Sequence, residues 1–195
     1  MSGRRWFVLG AATAAIVAAG LFLMALHAPR ATLPAVPPAS GAVPSPLPDG
    51  PGTGLPDHGH TPGSINPAVS QENIATTVCK PGWARTVRPP SAYTSALKIA
   101  QLIQYGYQDR DTHHYQEDHL VPLELGGAPR DPANLWPQPN EGTQLPDGTA
   151  VGSDEKDDLE DYLNRQVCSG AMLLADAQRL IAGDWIAAWQ AAGRP

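Results

Sequence analysis

Tyr115 to Trp136 reads Y-Q-E-D-H-L-V-P-L-E-L-G-G-A-P-R-D-P-A-N-L-W. An Asp118-His119 pair leads into a short alternation in which Leu120, Val121, Leu123 and Leu125 flank the loop-former Pro122. Gly126-Gly127 and the run from Pro129 to Pro132 are turn and loop signals. Asn134-Leu135-Trp136 reads as a short return strand, so the stretch predicts two irregular strands joined by a long connection. Neighbours on an extended strand face opposite sides. Asp118 and His119 therefore need a bent or bulged backbone to serve one centre, and Pro122 gives a reason for one.

The residue types suggest chemistry. Carboxylate oxygen suits Mg²⁺, a hard cation. Neutral imidazole suits a general base near pH 7, its unperturbed pKa being about 6.5. Asn134 suits either of two tasks: locking the loop through backbone bonds, or orienting the imidazole through its side-chain carbonyl. The bland alternative is that an Asp-His dipeptide is only a polar surface pair. His113 and His114 read as a solvated loop rather than a metal-binding tract, because nothing in the sequence fixes their geometry.

Glu117-Asp118-His119-Leu120-Val121-Pro122-Leu123-Glu124-Leu125-Gly126-Gly127, followed by Asn134-Leu135-Trp136-Pro137, resembles the HNH nuclease superfamily. More narrowly, it is similar to small exported bacterial proteins with an HNH-like domain. Those proteins also carry a Lys-Asp-x-Leu-Glu helix, here Lys156 to Glu160, a Cys-Ser-Gly, here Cys168 to Gly170, and an Asp-Trp, here Asp184-Trp185. The resemblance runs from Val78 to about Trp189. It implies an α+β chain with a small ββα-metal core and additional helices. It also implies His119 as general base, Asp118 as metal ligand, Asn134 as a positioning residue, and a divalent cofactor, Mg²⁺ first with Mn²⁺ or Zn²⁺ as alternatives. The superfamily's third motif residue is a His or Asn ligand on the next helix, yet no His follows His119. The equivalent position falls at Asp154 or Glu155, with Asn140 as a further candidate.

Outward from this core, the chain of 195 residues has room for one domain plus extensions. Residues 1–28 read as a targeting segment, with Arg4-Arg5 followed by an apolar run from Trp6 to Leu26. About 20 apolar residues suffice to span a bilayer, and no good cleavage site follows. The expectation is a single uncleaved anchor, Arg pair in the cytoplasm and domain outside it, or a secreted domain if cleavage occurs. Residues 29–77 are rich in Pro, Gly, Ala and Ser and read as a disordered tether, with His58 and His60 solvated in it. Residues 78–195 read as the folded domain.

Cys79 and Cys168 are the only cysteines, and an even pair bracketing an exported domain predicts one disulfide. Lys80, Arg85, Arg88 and Lys98 form the one basic cluster, suited either to a phosphate backbone or to a scattered solvated face. Three helices are predicted. The first runs from Ser95 to about Tyr105, with Thr94 as N-cap and Leu97, Ala100 and Ile103 or Leu102 inward. The second runs from Ser153 or Asp154 to about Val167, with Leu159, Tyr162, Leu163 and Val167 as its apolar stripe. The third runs from about Ala175 to Ala191, with Ala177, Leu180, Ile181, Trp185 and Trp189 on one face. Carboxylates crowd the start of the second helix, where the helix dipole favours them. A functional reading keeps one as a metal ligand and Lys156 as a phosphate contact.

The net charge of −6 sits against easy nucleic-acid binding, since binders usually show a basic footprint. Two hypotheses compete: a membrane-tethered, metal-dependent HNH-like endonuclease, and a catalytically degenerate envelope binding module on the same scaffold. Nucleic acid and the membrane are the partners expected, and no protein partner is evident.

Overall fold

Leu120, Val121, Leu123 and Leu125 are all buried in the computed structural model, which describes residues 53–195. The described residues form a mixed α+β fold of several helices and two small two-stranded sheets. Strand β1 (Tyr115–His119) pairs antiparallel with β2 (Leu135–Pro139). The register is regular, with Asp118 opposite Trp136 and His119 opposite Leu135, so the expected bulge is absent. The long connection between them carries two single 3₁₀ turns, Leu123–Leu125 and Pro132–Asn134. Two glycines make it fold. Gly126 has φ +75°, and a Cβ on Gly127 would lie 1.7 Å from the Val121 carbonyl oxygen. No side chain fits there, so the loop closes only over Gly. A second ribbon, β3 (Thr143–Gln144) with β4 (Ala150–Val151), follows the hairpin.

Helix α1 (Trp83–Val87) is short. Helix α2 spans Ser91–Gln104 and so begins four residues before the expected Ser95. Pro90 stands at its N-cap, where a missing N–H costs nothing, and Thr94 instead turns its hydroxyl to the Ser91 carbonyl. Its buried residues are Gln101 and Leu102, whereas Ile103 is 57% exposed and Ala100 is exposed. The rotation follows from Gln101, whose Nε2 donates to the Leu135 carbonyl at 2.7 Å and pins that face to the hairpin.

Helix α3 (Ser153–Cys168) buries Leu159, Leu163 and Val167, and α4 (Leu174–Ala191) buries Ala177, Ile181, Trp185 and Trp189. Leu180, expected on that face, is 44% exposed. Asp184 is non-helical (φ −134°, ψ 93°), and its carboxylate accepts from the Ala187 N–H, capping the second half of the bent helix. The stripe of α4 joins that of α3 in the main core. Cys79 and Cys168 are disulfide-bonded, as expected, and tie the chain before α1 to the end of α3.

The boundary at residue 78 needs correction, because residues 53–77 belong to the fold. Leu55 is 2% exposed within the main core, and the Trp185 indole donates to the Gly54 carbonyl at 2.9 Å. Thr61 is buried between the Leu135 carbonyl and the Tyr105 hydroxyl, and Ile65 bridges to Gly127. His58 Nε2 lies 2.8 Å from the Ala182 carbonyl, while His60 is exposed, as expected, but contacts Gln104, so both sit on the fold and not in a tether. Composition misleads here because a few anchors suffice to hold an irregular segment. The rest of the expected tether and the apolar segment 1–28 lie outside the described residues. Among the described residues no helix is long and apolar enough to cross a membrane.

Candidate active site

His119 ends β1 with its side chain almost wholly buried at 7% exposure. Its Nε2 lies 3.0 Å from the Pro129 carbonyl oxygen. A carbonyl only accepts, so Nε2 carries the proton and Nδ1 is the ring's basic atom. Burial pushes the imidazole below its ordinary range, outweighing the Pro129 bond and the nearby Asp118 carboxylate, with Lys156 and Arg88 adding to the fall. The ring is thus neutral at pH 7 with one nitrogen ready to accept.

Asn134 sets the loop that carries Pro129. Its Oδ1 accepts from the Val121 N–H at 2.9 Å, and its Nδ2 donates to the carbonyls of Val121 at 2.9 Å and Ala128 at 3.1 Å. Of the two tasks open to it, Asn134 performs the loop lock. It reaches the imidazole only through the backbone of Ala128 and Pro129.

Asp118 and His119 both line one polar pocket of about 120 Å³, together with Arg88, Glu117, Glu124, Asp157 and Glu160. Strand alternation still holds. Asp118 meets α3, while the His119 ring meets the loop at Pro129. The partner of Asp118 is Lys156, whose Nζ lies 2.7 Å from Oδ2. Lys156 also donates to the His119 carbonyl at 3.0 Å and to Glu160 Oε1. Its side chain is 0% exposed, so the expected phosphate contact is ruled out: an ammonium sealed between a strand and a helix does not reach a ligand's phosphate. Burial raises the Glu160 carboxyl, and the paired carboxylates hold the Lys156 ammonium charged against its own burial. Glu117 has both carboxylate oxygens buried without a hydrogen-bond partner, and burial with the adjacent Asp118 charge pushes it up to about 8.

The remaining expected residues lie apart. Asp154 is exposed on the first turn of α3. The Glu155 carboxylate accepts from the Gly152 N–H at 2.7 Å and is used as a helix cap. Asn140 donates to the His113 carbonyl beyond the far end of the hairpin. His113 and His114 are exposed and paired with Asp111 and Asp109, as a solvated loop should be. Among the described residues no three His, Cys, Asp or Glu side chains are arranged to hold a metal ion. The donor set expected for a divalent cation therefore does not fit: the Asp118 oxygen is paired with an ammonium, and Asp154, Glu155 and Asn140 are each placed elsewhere.

Arg88 is the one basic residue at the pocket's edge. It also lines a wider adjoining cleft of about 570 Å³ with Lys80, Arg85 and Asn164. The sequence missed the Pro129 carbonyl and Glu160. Glu160 had a signal, since a Lys and a Glu four apart on a helix form a natural pair. Compared with models of protein families, with curated proteins and with solved structures, the chain has no significant match in any of the three.

Proposed function

We propose that the protein is an exported HNH-like hydrolase of phosphodiester bonds in nucleic acid, with His119 as its general base. The observation that carries this reading is the His119 ring, held by the Pro129 carbonyl and kept neutral by burial at the wall of a polar pocket. The order of parts also supports it: a hairpin bearing Asp118 and His119, the Asn134 lock, then a helix packed on the strand end.

Nδ1 takes a proton from water as its oxygen attacks phosphorus. The bond from phosphorus to the leaving oxygen breaks, and that oxygen takes a proton from solvent. Arg88 balances the phosphate's charge at the rim, and the adjoining cleft with Lys80 and Arg85 accommodates the flanking backbone. Asn134 is a positioning residue, acting through the loop.

The test is a nicking assay on plasmid DNA and on RNA, run with Mg²⁺ and with chelator. Wild type should cut, and His119→Ala should lose about 10²–10⁴ in rate while keeping its fold. If wild type cuts neither substrate in either buffer, the enzyme reading fails. A second reading, a non-catalytic binding module of the cell envelope, is favoured by the Lys156 pairing that consumes Asp118. It predicts nucleic-acid or envelope binding that survives His119→Ala with no cleavage by wild type.

A further inference from the structure

Three oxygens converge at the base of the pocket: Asp118 Oδ2, Glu160 Oε1 and the His119 carbonyl. Two carboxylates and a backbone carbonyl are the donor chemistry of a hard divalent cation. The Lys156 Nζ sits at their meeting point: it donates to the His119 carbonyl and to Glu160 Oε1, and pairs by charge with Asp118 Oδ2, which has no hydrogen-bond partner of its own. Lys156 lies in the opening turns of α3, where the helix dipole disfavours a cation. Burying an ammonium is costly before pairing, and packed apolar residues are often as good for stability.

We propose that Lys156 is a built-in cation that takes the place of a divalent ion beside His119. This rests on reading the Asp118–His119 pocket as the reaction site. The ammonium holds Asp118 and fixes the strand end through the His119 carbonyl, and so orients the base without a metal. Lys156 is a positioning residue: it reaches the chemistry through His119 and Asp118, being sealed from ligand itself.

The test is Mn²⁺ binding to the full chain, read from loss of the free-ion EPR signal, with the thermal midpoint followed in parallel. Wild type should show no Mn²⁺ binding that Asp118→Asn removes, and no shift of midpoint with Mn²⁺ or chelator. Lys156→Ala opens the oxygen cage and should gain Mn²⁺ binding at least tenfold tighter than wild type, with a midpoint that Mn²⁺ raises. Lys156→Met fills the space without charge and should gain none. The proposal is overturned if wild type binds Mn²⁺ through Asp118, or if folded Lys156→Ala binds none. If Lys156→Ala folds only with Mn²⁺, the proposal holds. If it folds under neither condition, the wild-type measurement decides. No arm needs catalysis, so the role of Lys156 is decided even in a chain that fails to cut nucleic acid.

Discussion

Asn134→Ala tests the loop lock most severely. The amide is fully buried and makes three bonds, one with the Val121 N–H and two with the carbonyls of Val121 and Ala128. Truncation leaves one donor and two acceptors buried. Each unmet buried group costs about 1–3 kcal/mol, and water entering the vacated space recovers part, so we expect about 3–5 kcal/mol lost. That is a large share of the roughly 5–15 kcal/mol typical of a domain. Urea unfolding by tryptophan fluorescence would measure it, since Trp136 is buried on the adjoining strand. Asn134→Asp keeps the acceptor but loses both donated bonds and brings in charge, and should be no better than Ala. A loss under about 1 kcal/mol with an unchanged urea slope would refute the account, because the loop would then hold itself without the amide.

Three further outcomes are expected. Leu55→Ala should cost about 2–5 kcal/mol in the same assay, because Leu55 is 2% exposed in the main core; a loss near zero would return residues 53–77 to a tether. Reducing Cys79–Cys168, which are 89 positions apart, should cost up to about 4–5 kcal/mol and lower the thermal midpoint under reductant; an unmoved midpoint contradicts it. Glu117, pushed up to about 8 from an ordinary 4.5, holds a proton in the fold that the unfolded chain releases. Its contribution to stability therefore falls as pH rises from about 4.5 to 8 and is flat above, and Glu117→Gln should remove that slope from a stability–pH curve.

The hairpin and the last two helices were legible because their signals are local. Turn residues bracket the loop, and apolar residues recur at helical spacing in α3. Asn134 was legible as a polar residue with work to do, though not which work, since its partners are backbone atoms 6 and 13 residues away. Lys156 was misread because a lysine inside D-E-K-D-D looks solvated; only the arrival of β1 against α3 buries it. Residues 53–77 were misread for the opposite reason. Their anchors, Leu55, Thr61 and Val69, are spaced without period, so composition outweighed them. The start of α2 was missed because Thr94 reads as its N-cap, yet Pro90 holds that place.

The central claim is that His119 acts as a neutral base, and the pH dependence of nucleic-acid cleavage tests it most directly. Burial holds the imidazole below its ordinary 6.5, so cleavage should be flat near neutral pH and fall only as pH drops through a midpoint below 6.5. His119→Ala should abolish that acid limb along with most of the rate. A cleavage rate whose acid limb lies above pH 7, or a His119→Ala variant that keeps the wild-type rate and profile, would contradict the account.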